Sequence, residues 1–392
     1  MRRRIPRLAT LTLLIAALTP ALPGLLADTP AKPQSIAAAL KPFVDRHALA
    51  GAVTLVADRE KVLSVETVGF ADIAADKPMQ ADSLFWIASQ SKPITATAFM
   101  ILVDEGKVHL DDPVSKYIPE FKDVWLAVEQ DKEHVLLKRP KTVITIRHIL
   151  SHTSGLPFSS AMERPTLDVL PLRDGVRSYA MTPLLFEPGT RYQYSNAGIN
   201  TAGRIIEIVS GIPYEDFLQK RLFDPLGMKD TTFWPDEQQL ARLAKSYKPN
   251  AAKNDLEEIK VGQLHYPLND RKRQPMPAGG LFSTAADLAR FCQMILNRGV
   301  FEGKSYLSEA AIDEMTTKQT GKALKDAYGL GWSTNNGVFG HGGAHATNMS
   351  IDSKRGLITV FMVQHAGFPA DGGKSHGVFQ KTAMDLFGAP AK

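Results

Sequence analysis

Strand-like sequence stands at both ends of this chain and helix-like sequence lies between, which constrains the fold more than any other feature. The segments AGAVTLVAD (50–58) and VLSVETVGF (62–70) are rich in Val and separated by a charged turn, which predicts two strands. Far downstream, GLGWST, GVFGHGG, ATNMSIDS and GLITVFMVQH predict short antiparallel strands, with Asn335-Asn336-Gly337 and Lys354-Arg355-Gly356 as turns. Between them, NTAGRIIEIVSG (200–211) and YEDFLQKRLF (214–223) carry helical apolar spacing, the first stopped by Gly211 and Pro213. The same spacing marks 35–47, the segment from Ser89 to about Glu105, 284–299 and 375–387, whereas 248–278 is polar, basic and Pro-bearing and predicts a long loop. Strands and helices each need a partner layer to bury their apolar face. The expected fold class is therefore α+β, an α/β sandwich: a mostly antiparallel sheet from the N- and C-terminal segments, flanked by helices, with an inserted, mainly helical lobe. The expected boundaries are 34–88 plus 276–390 for a discontinuous α/β domain and 89–275 for the helical one.

The first residues, MRRRIPRLATLTLLIAALTPALPGLLADTP, combine four Arg with an apolar run from Leu8 to Leu18. That run is shorter than the roughly 20 residues a spanning helix needs. It predicts a signal peptide over 1–27, cut after Ala27, and a periplasmic or secreted protein that meets the membrane only transiently during export. A retained anchor is the alternative. The leader holds four of the positive charges and no acid, so a net charge of +5 falls to +1 without it. Nothing in that balance calls for nucleic acid or an anionic surface. The lone cysteine, Cys292, has no internal disulfide partner and sits in the helical LARFCQMIL, which predicts a packing residue.

The stretch SQSKP, Ser89 to Pro93, carries the chemistry. Pro93 tolerates only the first turn of a helix, so the helix is expected to start close to Ser89. Residues three apart share a helix face, and Ser89 can then meet Lys92. A serine hydroxyl is a poor nucleophile until a base takes its proton. Burial and the positive helix end both disfavour a charged lysine, which makes Lys92 a candidate base. By itself the tetrapeptide is common, and a serine near a helix start is ordinary capping.

Two further motifs follow in order: Tyr194-Ser195-Asn196 ahead of a helix and His341-Gly342-Gly343 at the end of a strand. With them the chain resembles the serine β-lactamase and penicillin-binding-protein superfamily, and within it the class C β-lactamase-like branch of esterases, D-amino-acid peptidases and related hydrolases. The resemblance extends over LVDEGKVHLDDPVSKYIPEF, ITIRHILSHTSGLP, FEPGTRYQYSN, FDPLGMKDTTF and GGLFSTAADLARF. It implies a β-lactamase/transpeptidase-like fold with Ser89 as acylated nucleophile and with Lys92 and Tyr194 sharing the proton traffic. It implies substrate contacts from Asn196, His341, Gly342 and Gly343, and an oxyanion hole from the backbone N–H groups of Ser89 and Ala344. No cofactor and no metal is implied. Where many β-lactamases carry Lys-Thr-Gly, this chain has His-Gly-Gly, so a fixed cation for a β-lactam carboxylate is missing. The expected activity is hydrolysis of ester or peptide-like amide bonds in a small-molecule or peptidoglycan-like substrate. The alternatives are a true β-lactamase, a D-Ala-D-Ala carboxypeptidase, or a penicillin-recognising sensor without catalysis. Oligomeric state is left open by the sequence.

Other matches carry less. Gly373-Lys374-Ser375-His376-Gly377 fits a nucleophile elbow, but no His follows it to complete a triad. His148 and His152 are spaced as in a zinc helix without the adjacent Glu, and His152 is expected to have a structural hydrogen-bonding role. His341 and His345 lack an acidic or Cys companion that would make them ligands.

Overall fold

The computed structural model describes residues 34–390, so the expected leader lies outside the described residues. Helix α1 (Ile36–Asp45) is followed by strands β1 (Gly51–Ala57), β2 (Val62–Asp72) and the short β3 (Lys77–Pro78). The two-residue β4 (Phe85–Trp86) then leads into α2 (Ser91–Asp104). The middle holds a hairpin, β5 (Leu126–Gln130) with β6 (Val135–Lys138). It also holds α3 (Ile146–Leu150), α4 (Leu172–Met181), α5 (Asn196–Ser210), α6 (Tyr214–Leu218), α7 (Asp224–Leu226) and α8 (Glu237–Ala241). A second hairpin, β7 (Ser246–Pro249) with β8 (Leu256–Ile259), stands at the start of the segment expected to be a long loop or a loop-rich excursion. Strand β9 (Phe282–Ser283) pairs with β4 and leads into α9 (Ala285–Leu296). A small hairpin, β10 (Val300–Phe301) with β11 (Lys304–Ser305), and α10 (Glu309–Thr316) precede the last strands. These are β12 (Ser333–Asn335), β13 (Val338–Gly342), β14 (Asn348–Asp352) and β15 (Leu357–Met362), closed by α11 (Ser375–Phe387).

One seven-stranded sheet, in the order β12-β13-β14-β15-β1-β2-β3, unites the two ends of the chain. Its central joint is antiparallel: Val53 faces Met362 and Ala57 faces Ile358. β1 and β15 are buried at every position, as strands covered on both faces must be. On one face α1 and α11 pack over Ala52, Val56, Phe361 and Val363. On the other, α9 and α2 belong to the larger core around Val53, Leu55, Phe99, Phe291 and Val360. Helix α2 is buried along nearly its whole length, its polar Ser91, Lys92, Thr95 and Thr97 included, and makes close contacts with α5, α6 and α10.

The middle of the chain departs from the helical pattern read in the sequence by containing the two hairpins. The β5–β6 ribbon shows why. Its apolar side chains, Val128, Val135, Leu136 and Leu137, are exposed, so the alternation that betrays a half-buried strand is absent.

Candidate active site

Ser89 lies in a 3-10 turn, Ala88–Gln90, and the α-helix begins two residues later at Ser91. The helix thus starts close to Ser89, as expected, with the serine itself in the preceding turn. Ala88 holds a left-handed φ of 46°, which diverts the chain before the helix and presents Ser89 at its electropositive end. Pro93 is the third helical residue, where it loses no intrahelical hydrogen bond.

Lys92 reaches back along the turn, with Nζ 3.0 Å from Ser89 Oγ and 2.7 Å from the Ala278 carbonyl oxygen. It has no solvent exposure. Burial drives its pKa well below the ordinary lysine value, which favours the uncharged amine. It donates to the Ala278 carbonyl and lies within hydrogen-bond distance of the Ser89 hydroxyl. Nζ also sits 4.7 Å from the centre of the Tyr194 ring. Burial pushes the Tyr194 phenol far above the usual tyrosine range, against an opposing hydrogen bond from Ser89. The Ser89 hydroxyl, the Lys92 amine and the Tyr194 phenol thus form one cluster, with burial shifting the amine and the phenol in opposite directions.

The YSN segment is placed by its helix cap. The Ser195 side chain accepts from Gly198 N–H at the start of α5 and donates to the Pro157 carbonyl. The Ser195 N–H donates to His152 Nδ1 at 3.2 Å. His152 is buried, and its ring lies 4.6 Å from both Tyr194 and Tyr328. It is a strut that holds the phenol, in keeping with the structural role read for its HTSG turn. Asn196 opens α5, and its Oδ1 is buried with no hydrogen-bond partner among the described residues.

At the sheet edge, β12 pairs with β13 only as far as Gly340, leaving Gly342 onward uncovered on that side. Gly343 passes close to the nucleophile turn: a Cβ there would lie 2.6 Å from the Ile87 carbonyl oxygen and 2.2 Å from Thr347 Oγ1. Among the described residues, neither the Ser89 nor the Ala344 amide has an acceptor. These are the two donors named for an oxyanion hole.

His341 is buried, with Nδ1 2.7 Å from the Gly342 carbonyl oxygen and Nε2 3.0 Å from the Tyr328 hydroxyl. Burial and the nearby Lys92 lower its pKa to about 3. The position occupied by a cation in Lys-Thr-Gly proteins therefore carries none here, and both ring nitrogens are engaged within the protein. Tyr328 carries no motif that marks it in the sequence, and Ala278 acts only through its backbone.

Beside the nucleophile turn lies a cavity of about 520 Å3 lined in part by Leu243, Ser246, Val261, Leu264, Leu268 and Gln364. Its apolar residues cluster with Trp86 and Ala88. Gln364 ties that wall to the β13–β14 turn by hydrogen bonds to the Trp86 carbonyl and to His345 Nδ1. The serine of the elbow-like match, Ser375, is buried in the first turn of α11 and faces no such cleft. Cys292 is fully buried.

The Beta-lactamase family profile matches residues 36–379. Protein Rv1367c of Mycobacterium tuberculosis (strain ATCC 25618 / H37Rv) is 32% identical over 363 residues, covering 84% of this chain and 89% of its own. Esterase EstB of Burkholderia gladioli is 31% identical over 327 residues, covering 76% and 78% respectively. Among solved structures, EstCE1, described as a hydrolase with promiscuous acyltransferase activity, superposes with a TM-score of 0.74. It is 24% identical and covers 89% of this chain and 97% of its own. That likeness is one of fold, the antiparallel sheet flanked by helices expected from the sequence. The profile match over nearly the whole described chain makes this protein a serine hydrolase of the Beta-lactamase family.

Proposed function

We propose that this protein is an exported esterase that works through an acyl-enzyme on Ser89. The observation that carries the reading is the 3.0 Å contact between Ser89 Oγ and the buried Lys92 amine, whose pKa is lowered by burial. In acylation the Ser89 oxygen bonds to the ester carbonyl carbon while its proton passes to Lys92. The carbonyl oxygen becomes an oxyanion between the Ser89 and Ala344 amides. The bond to the alcohol then breaks, and the alcohol leaves with a proton delivered through Tyr194. Water, activated by the same amine and phenol, frees the acid. Tyr194 holds its proton too tightly to act as a resting phenolate, which favours Lys92 as the general base.

The substrate side follows from His341. A neutral ring with both nitrogens occupied supplies no charge for a substrate carboxylate. A charged hydrogen bond contributes about 1.5–3 kcal/mol, so acids such as β-lactams are weak ligands and neutral small-molecule esters the preferred class. The relative named an esterase agrees with this reading.

Steady-state kinetics of the mature chain with p-nitrophenyl esters and with nitrocefin, beside Ser89→Ala, test the proposal. Ester turnover that vanishes in Ser89→Ala supports it. Efficient nitrocefin turnover with inert esters overturns the ester preference in favour of a β-lactamase. Inertness to both, with no labelling of Ser89 by a fluorophosphonate, overturns catalysis and leaves a sensor.

A further inference from the structure

The carbonyl that anchors Lys92 is itself the end of a buried hydrogen-bond chain. The Ala278 N–H donates to Asn200 Oδ1 at 3.0 Å. The Asn200 Nδ2 donates to the Tyr179 hydroxyl, also at 3.0 Å. Tyr179 donates to Glu163 Oε1 at 2.5 Å, and the other carboxylate oxygen accepts from Ser160 N–H at 2.7 Å. Four separate parts of the chain contribute: the segment before β9, helix α5, helix α4 and the loop after the HTSG turn. Exposure is 1% at Ala278, 3% at Asn200, 1% at Tyr179 and 6% at Glu163.

The local packing suits a fixed mount. Gly203 in α5 leaves room for Pro277, whose ring would lie 2.3 Å from a Cβ at that position. Thr95 in α2 donates to the Pro277 carbonyl and shares a hydrogen bond with the Tyr214 hydroxyl. Residues 277 and 278 are thereby wedged between α2 and α5. A buried carboxylate is retained only where hydrogen bonds offset its desolvation. Glu163 receives two, and none of its contacts touches the cleft residues directly.

We infer that Glu163, Tyr179 and Asn200 form a positioning relay that fixes the Ala278 carbonyl and, through it, aims the Lys92 amine at Ser89. The inference rests on the acyl-enzyme reading above and adds to it three residues that touch neither the substrate nor the reacting atoms. The amine can hold its lone pair toward the serine only while one of its hydrogens is taken by a stationary acceptor. If the acceptor wanders, the lone pair is shared among orientations and acylation slows, with binding unaffected.

The test is Tyr179→Phe, which removes one hydroxyl and leaves the ring in place. Ester hydrolysis and fluorophosphonate labelling of Ser89 are measured alongside thermal unfolding. The expected result is a fall of roughly tenfold in kcat and in the labelling rate, with KM within about twofold of wild type. Glu163→Gln preserves an acceptor for Tyr179 and is expected to keep most of both rates. A Tyr179→Phe protein that is less heat-stable but has unchanged kcat and labelling overturns the relay and leaves a merely structural network. Equal loss in Glu163→Gln and Tyr179→Phe overturns it as well. Wild-type protein that neither hydrolyses nor labels overturns the catalytic reading and the relay together, so the two failures are told apart. Should Tyr179→Phe not fold, Asn200→Asp is read instead. It keeps the acceptor for Ala278 N–H but removes the donor to Tyr179, so the relay expects a fall of roughly tenfold in the labelling rate, and labelling near wild type overturns it.

Discussion

The Tyr328 hydroxyl lies 3.0 Å from Nε2 of His341, while the other nitrogen of that ring lies 2.7 Å from the Gly342 carbonyl oxygen. A carbonyl can only accept, so Nδ1 carries the hydrogen and Nε2 receives one from Tyr328. Replacing Tyr328 by Phe strips Nε2 of its donor in a buried site. Chemical denaturation is expected to show a loss of about 1–3 kcal/mol, and an NMR titration of His341 is expected to show its pKa rising, because Nε2 becomes free to take a proton. An unchanged unfolding midpoint would count against this pairing.

Lys92 must be uncharged to act, and burial lowers its pKa. Activity is therefore lost as pH falls through that lowered value and is retained above it. Tyr194 is shifted the opposite way and keeps its proton beyond the ordinary phenol range, so it adds no alkaline limb below about pH 10. A kcat/KM profile with its only acid limb near 10, the value of a free lysine, would sink the assignment of Lys92 as base.

Asp168 and Arg273 form an ion pair at 3.3 Å with almost no solvent contact. Asp168 also accepts from the His265 N–H and the Thr166 hydroxyl, and Arg273 donates to the carbonyls of Phe233 and Leu268. Together they staple the loop before α4 to the segment that walls the cavity. Asp168→Ala leaves a buried guanidinium alone and is expected to cost about 3–5 kcal/mol of stability. The double variant Asp168→Ala/Arg273→Met is expected to cost less than the single one, a comparison that urea unfolding settles. A double variant worse than either single change would contradict a coupled pair.

Cys292 is buried in α9, and burial raises its thiol pKa strongly. Ellman's reagent is expected to leave the native protein unmodified and to titrate one thiol after denaturation. Reaction at native pH and room temperature on the time scale of mixing would show an accessible thiol.

The sequence already contains the outline of the fold, because Val-rich strands at 50–70 and 338–363 can bury themselves only against each other. It contains the nucleophile and its two companions because S-x-x-K, YSN and HGG are short, ordered and local. Other features leave no local trace. The 3-10 turn at Ser89 depends on the backbone twist at Ala88, which a non-glycine residue does not advertise. Tyr328, Asn200, Tyr179 and Glu163 matter through partners more than ten residues away, and each looks like an ordinary polar residue in its own neighbourhood. The β5–β6 hairpin escapes notice because its valines and leucines face solvent.

The pairing of β1 with β15 has a temporal side. Strand β1 can pair with the adjacent β2 at once, but its other edge must wait for β15, some three hundred positions later. Local helices such as α5 can form meanwhile, but the floor beneath Ser89 and the rim at Gly342 exist only once the tail arrives. A chain cut before Leu357 would leave one edge of β1 without its partner strand, and the sheet split into two pieces.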